Sequence, residues 1–244
     1  MKDYLQDIVA HTHALGIIDL VKITGTDQTT TVEALAEDRS VIVQAKFNNP
    51  VPEFVGLFGM PNLGKLNTIL NIPEYKEDAQ LTIISQDRNG KQVPVGLHFE
   101  NKAGDFKNDY RFMVSEVISE KLKTVKMAKT LKWNVELEPT VASIQKMKFQ
   151  AQANSEETTF IVKTEGNKLK FFFGDHSSHA GDFVFADGIT GTLSKAWPWP
   201  VSAVIGILSL PGDKKMYFSD EGAAQITVNS GIATYNYLLP AQSK

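Results

Sequence analysis

The chain has no cysteine. That excludes disulfides, cysteine-based zinc sites and a thiol nucleophile, and it fits a reducing compartment. No apolar run reaches the ~18 residues a membrane-spanning helix needs. The opening segment, MKDYLQDIVAHTHALG, mixes acids and polar residues throughout, unlike a secretory signal. The sequence therefore reads as a soluble cytoplasmic protein with no membrane partner. It also lacks a Gly-x-Ser-x-Gly elbow and a His-Glu-x-x-His helix. Paired carboxylates such as Glu156-Glu157 and Asp220-Glu221 fall in expected loops, with nothing to desolvate them or split their pKa values. No catalytic residue and no cofactor is expected, so the chain does not read as an enzyme.

What is present is a 244-residue chain, 42% hydrophobic and 22% charged, enough for one large domain or two small ones. The net charge of −3 argues against a uniformly basic nucleic-acid protein. Its distribution says more. Lys121, Lys123, Lys126, Lys129 and Lys132 follow one another with no acid between them, and those five charges leave the remainder at −8. An acidic body with a local basic zone can approach a polyanion with one surface and repel it with the others. A lysine-rich linker between domains would look the same.

The periodicity predicts a helix over Lys2–Leu15, stopped by Gly16, and a second over Pro61–Leu70 with Leu63, Leu66, Ile69 and Leu70 on one side. Strands are expected at Ile17–Thr24, Thr30–Leu35, Val41–Phe47, Leu81–Ser85, Val95–Phe99 and Tyr110–Val114, with a hairpin turn at Arg88-Asn89-Gly90. A third helix is expected over Thr140–Gln152, with Val141, Ile144, Met147, Lys148 and Ala151 at helical offsets. Strands at Thr159–Lys163, Leu169–Phe173 and Phe183–Phe185 precede a fourth helix, Pro200–Leu208. Met216–Phe218, Ala224–Val228 and Ala233–Leu239 complete the strands. Ile69-Leu70-Asn71-Ile72-Pro73 is echoed by Ile207-Leu208-Ser209-Leu210-Pro211, at the offset of 138 that also separates the helix starts Lys2 and Thr140. The shared offset suggests two copies of a helix–strands–helix–strands unit. The expected architecture is α+β: an N-terminal domain over 1–118, a connector over 119–132 and a C-terminal domain over 133–244.

Three motifs invite chemistry. Gly59-Met60-Pro61-Asn62-Leu63-Gly64-Lys65 fits the first part of a phosphate-binding loop. However, Leu66 stands where a magnesium-binding hydroxyl belongs, and Pro61 removes a cradle N–H; a helix start led by proline explains it as well. His11 and His13 are two apart and point to different faces of a helix. Asp175, His176 and His179 could gather an ion, although such polar loops are ordinarily plain turns, so no metal is assigned. The runs Phe171-Phe172-Phe173 and Trp197-Pro198-Trp199 read as packing aromatics.

Two tandem units, each with two helices and several antiparallel strands and no catalytic set, resemble a DNA sliding clamp. The segment from Glu53-Phe54-Val55-Gly56-Leu57 to Leu70, followed by Glu77-Asp78-Ala79-Gln80-Leu81-Thr82-Ile83, resembles clamps of T-even-type bacteriophages. So do Pro211-Gly212-Asp213-Lys214-Lys215-Met216, Gly222-Ala223-Ala224-Gln225-Ile226 and Tyr235-Asn236-Tyr237-Leu238-Leu239. The lysine-rich stretch and the histidine loop have no counterpart in that pattern. The resemblance implies the DNA-clamp fold in a homotrimeric ring. Helices would line a hole that encircles double-stranded DNA without sequence preference. A clamp loader would open the ring, the DNA polymerase would be tethered to it, and late transcription would be activated through it.

A ring that slides needs a few cations with weak, water-mediated phosphate contacts rather than base readout. The candidates are Lys2, Lys65, Lys146 and Lys148 on the expected helices, with Gln145, Gln150 and Gln152 as neutral donors. Each would also suit an ordinary solvated face. The family's docking pocket lies beside the connector and the C-terminal strand, where Val114, Val117, Ile118, Leu238, Leu239 and Pro240 are the apolar candidates; they could equally pack the core. The alternatives are a phage tail or baseplate protein with duplicated β-rich domains, and a nucleotide enzyme using the Gly59–Lys65 loop.

Overall fold

The structure is a computed structural model and describes residues 1–76, 78–88, 90–123, 131–175 and 179–242. The chain divides into two compact units: Met1–Lys126 with Ser230–Tyr235, and Met127–Asn229 with Asn236–Lys244.

The first unit opens with α1 (Lys2–His11), which passes into a 3-10 turn at His13–Leu15 before Gly16 ends it in the left-handed region. The expected single helix to Leu15 thus tightens at its end, a common way to use the last free carbonyls. Strands β1 (Leu20–Gly25), β2 (Thr30–Leu35), β3 (Ile42–Phe47) and β4 (Gly56–Pro61) form an antiparallel sheet in the order β4-β1-β2-β3. The alternation is strict in β2, where Thr30, Val32 and Ala34 are buried and their neighbours are not. Strand β4 was not expected, because its glycines break the apolar pattern. Gly25, paired with Gly56 across β1 and β4, has room for no side chain, since an added Cβ would fall 1.5 Å from the Phe54 carbonyl oxygen.

Helix α2 (Leu63–Leu70) follows, and its expected face of Leu63, Leu66, Ile69 and Leu70 is buried. A second antiparallel sheet then forms from β5 (Gln80–Arg88), β6 (Lys91–Glu100) and β7 (Lys107–Arg111). Met113 bridges to Gly59 of β4, and α3 (Ser115–Lys121) packs on that strand. The expected domain end at 118 thus falls inside a helix.

In the second unit β8 (Val135–Leu137), also unexpected, edges a sheet with β13 (Asp213–Ser219), β14 (Ala223–Asn229) and β15 (Ala233–Pro240). A second sheet runs β11-β10-β9-β12, from β9 (Thr159–Glu165), β10 (Lys168–Gly174), β11 (Ala180–Ala186) and β12 (Pro198–Pro200). Between them in the chain lie α4 (Val141–Ala153) and α5 (Val201–Ser209), which pack on each other. Phe160, Phe171, Phe173 and Phe185 form the aromatic centre of this unit, with Phe171 stacked on Phe185 at 4.2 Å. The Asp220 carboxylate ties β13 to the loop before β12 by accepting from the backbone and hydroxyl of Ser194 and the backbone of Lys195. Burial pushes its pKa up, but those hydrogen bonds outweigh it and hold the group below the ordinary carboxylate range.

Candidate nucleic-acid interface

The four lysines expected to face DNA all lie on helices, but their settings differ. In the first unit α1 and α2 pack together. His13, just beyond α1, lies over Gly64 at the start of α2, where an added Cβ would fall 3.2 Å from its ring, while the Lys2 ammonium donates to the Tyr75 carbonyl beyond the end of α2. The two helices therefore run antiparallel, and Lys2 and Lys65 occupy opposite ends of the pair. Lys65 is exposed; Lys2 is half-buried and engaged. A shallow hollow between the helices is lined by polar Gln6, His13, Asn67 and Asn71 with apolar Val9 and Leu70.

In the second unit α4 carries Lys146, exposed, and Lys148, half-buried. Thr140 caps the helix, its hydroxyl accepting from the Ser143 N–H at 3.0 Å. The expected apolar face of α4 is corrected: of Val141, Ile144, Met147, Lys148 and Ala151, only Met147 is buried, and Ser143 shares its side. Val141 is 77% exposed and Phe149 is 65% exposed. Lys214, at the start of β13, was not anticipated here. Burial lowers its pKa; Asp213 opposes that effect, and repulsion from nearby Lys148 adds to it. The signal that could have found Lys214 is its place one residue past the Pro211-Gly212-Asp213 turn, which ends the chain's excursion from α5. On the other flank, Lys146 lines an open hollow with Glu136, Glu138 and Ser143, and Glu136 is paired with Lys215. Helix α5 has no basic residue, as expected, and its apolar face is buried.

The Gly59–Lys65 segment forms no phosphate cradle. Gly59 N–H is spent on the Met113 carbonyl at 2.8 Å. Asn62 turns left-handed at φ 54°, and the first N–H groups of α2 point at Asp19: Leu63 donates to its carbonyl and Gly64 to its carboxylate. A carboxylate already at the helix start repels a phosphate. The Tyr110 hydroxyl, donating to the Pro61 carbonyl, braces the same turn; burial and then the Asp19 charge push its pKa far up.

The histidines do not converge. His11 is buried against Asp7 and stacks on Tyr235, whereas His13 lies half-exposed beside Asp19. In the Asp175–His179 loop, His176 lies outside the described residues. Among the described residues no group of three or more His, Asp or Glu side chains is placed to hold a metal ion, and no helix is long and apolar enough to cross a membrane.

Of the apolar residues expected to dock partners, Ile118 and Leu239 are wholly buried and belong to the core. Ile118 fills the space over Gly59, where an added Cβ would meet it at 2.9 Å. Val117 is 41% exposed, Val114 and Leu238 are half-buried, and Pro240 is exposed. A hollow not anticipated from sequence lies on the β1–β3 sheet, where Leu35, Ile42, Val43 and Leu122 surround the ion pair of buried Lys22 with half-buried Glu33. Leu122 and Lys123, which line it, come from the lysine-rich stretch. Lys126 and Lys129 of that stretch lie outside the described residues.

No family model matches the chain, and no curated protein sequence matches it. Solved structures do. One is the C-terminal region of FEN-1 bound to A. fulgidus PCNA, with a TM-score of 0.68 at 10% identity over 100% of this chain and 95% of that one. Another is the PCNA2–PCNA3 complex from Sulfolobus tokodaii, with a TM-score of 0.66 at 11% identity over 98% of this chain and 97% of that one. Across essentially its whole length, this chain has the DNA-clamp fold of PCNA.

Proposed function

We propose that the protein is a sliding clamp, a non-enzymatic ring of three copies that encircles duplex DNA and tethers the replicative DNA polymerase. The observation that carries the reading is full-length agreement with the clamp fold, with neither chain leaving a domain unmatched. The helices of such a fold suit the task. Helix α4 has two lysines, three glutamines and no acid. That set favours weak phosphate contact and offers no tight grip that would stall sliding. A tail or baseplate protein would need no acid-free helix.

Ring closure would come from head-to-tail pairing of free sheet edges, which gives a closed heterologous ring. Among the described strands, β5 and β7 of the first unit and β8 and β11 of the second are edges without proline; β4, ending in Pro61, and β12, with Pro198 and Pro200, are poorer ones. An ATP-driven loader would open the ring. The A. fulgidus PCNA is bound to the C-terminal region of FEN-1. A client tail would dock here on the hollow of Leu35, Ile42, Val43 and Leu122, with Val114 and Val117 of the same unit as further apolar contacts. The origin in a T-even-type phage, and with it a role in late transcription, rests on the segments that resemble those clamps.

The test combines mass in solution with topology. A species of three times the 27.0 kDa chain mass, retained on closed circular DNA after loading and lost when the circle is cut, is expected. A monomer with no loader-dependent retention overturns the reading.

A further inference from the structure

Phe149 is the feature of α4 that duplex sliding does not explain. At about 100° per residue, it sits in the middle of the arc that Gln145, Gln152, Ala142, Ala153 and Lys146 share, all of them exposed, while Ser143 and Met147 occupy the buried side. Among the described residues no other aromatic ring stacks on it. A phenyl group that is 65% exposed loses apolar burial unless something covers it. Its surroundings state the chemistry of the cover. The helix is acid-free and carries Lys146, exposed, and Lys148, half-buried. Gln145 and Gln152, both exposed, add donors that can reach phosphate or base edges, whereas Gln150 is spent on the Asp182 carbonyl. Lys146, Gln145 and Gln152 share one exposed arc with the ring and suit a polyanion with flat apolar groups, while Glu136 and Glu138 beside Lys146 keep the hold weak and repel an acidic peptide.

A duplex presents phosphates and sugars to such a helix and hides its base faces in the stack. Only a strand with unstacked bases offers a face to the ring. We propose that α4 is a contact site for single-stranded DNA, with Phe149 stacking on an exposed base while Lys146, Gln145 and Gln152 hold the flanking phosphates. The inference rests on the clamp reading for bringing DNA to this helix. In that setting it gives the protein a preference for the single-stranded side of a primer–template junction over uninterrupted duplex.

The test uses the full chain and fluorescence anisotropy, with a labelled oligothymidylate and a labelled blunt duplex of equal length, each across a salt series. Phe149→Ala is expected to weaken single-strand binding roughly fivefold or more, leaving duplex binding and both salt slopes unchanged. Phe149→Leu keeps the apolar bulk without the ring and is expected to lose as much. Lys146→Gln is expected to weaken both substrates and flatten both slopes. The ring is exposed, so the thermal midpoint should not move in either Phe149 variant. Unchanged single-strand affinity in Phe149→Ala overturns the proposal, as does equal loss on duplex. Full rescue by leucine, or an altered oligomer mass, overturns it in favour of a protein contact. Retention on circular DNA, measured on the same proteins, separates the two readings. If the wild type is not retained but Phe149 still governs single-strand affinity, the clamp reading falls and the stacking contact stands. If retention holds and Phe149 is indifferent, only the stacking contact falls.

Discussion

The Tyr235 hydroxyl donates to the Asp7 carboxylate at 2.7 Å, across 228 positions of sequence. Asp7 is 8% exposed and Tyr235 is wholly buried. The same Asp7 oxygen accepts from the Ser230 hydroxyl at 3.1 Å, and His11 stacks on the Tyr235 ring at 4.6 Å. The late segment Ser230–Tyr235 is thereby fastened to the first helix of the chain. Asp7→Ala leaves a buried hydroxyl without this acceptor and is expected to cost about 2–3 kcal/mol, with Tyr235→Phe costing about 1–2. Urea unfolding of the two single variants and the double variant checks this; if the two losses simply add, the bond carries no coupling.

The lysines should rank by how free they are. Lys146 and Lys65 are exposed, whereas Lys2 is already committed to the Tyr75 carbonyl. Replacing Lys146 or Lys65 with alanine is expected to weaken duplex binding slightly. Each should flatten the plot of log affinity against log salt by up to about 0.9, one phosphate's worth. Lys2→Ala should do less. Slopes unchanged from the wild type in all three variants would show that none of these side chains meets DNA. Abolished function in Lys65→Ala would instead favour a nucleotide enzyme.

His98 is a pH-dependent strut of the β5–β7 sheet. Its Nδ1 lies 2.7 Å from Asp109, and its Nε2 lies 3.4 Å from Glu100. The Asp109 hydrogen bond leads in raising its pKa; desolvation opposes this, and Glu100 adds to the rise. A histidine raised in the folded state stabilises fully below its unfolded value, about 6.5, and that support fades as pH climbs through the raised value. The stability gap between wild type and His98→Gln should therefore be widest in mild acid and close toward alkaline pH. A gap that widens toward alkaline pH would mean that the imidazole is held neutral.

Ile118 and Val117 are neighbours with opposite duties. Ile118 is buried over Gly59, and Val117 faces out. Ile118→Ala is expected to cost about 2–4 kcal/mol of stability. Val117→Ala should stay within about 0.5 kcal/mol while weakening capture of a polymerase tail peptide. Calorimetry and peptide titration on the same two proteins separate the roles; a stable Ile118→Ala would place that side chain outside the core.

Much of the fold was written in local pattern. The face of α2 followed from Leu63, Leu66, Ile69 and Leu70 because a short helix with one apolar stripe has one way to bury it. Strands β2, β3, β9 and β10 followed from alternation and β-branched or aromatic content. Pattern failed where a partner elsewhere decides. Gly56–Pro61 is a strand because β1 pairs with it, and Val135–Leu137 is one because β13 does. Helix α4 misled for the opposite reason: its apolar residues lie all round, so periodicity could not say that Met147 faces in and Phe149 faces out. The candidate site was legible as residue types on helices. Which of those residues stand exposed, and that Phe149 stands exposed among them, was not.

By itself the sequence determined the α+β class and the helices that carry Lys2, Lys65, Lys146 and Lys148, since composition and near-neighbour periodicity are enough for those. Only the tertiary structure decided which of these side chains are free. It committed Lys2 to a carbonyl, sank Ile118 and Leu239 into the core, closed the Gly59–Lys65 turn with the Asp19 carboxylate and left Phe149 uncovered. Exposure and hydrogen-bond partnership depend on atoms many residues away, and no local window of sequence contains them.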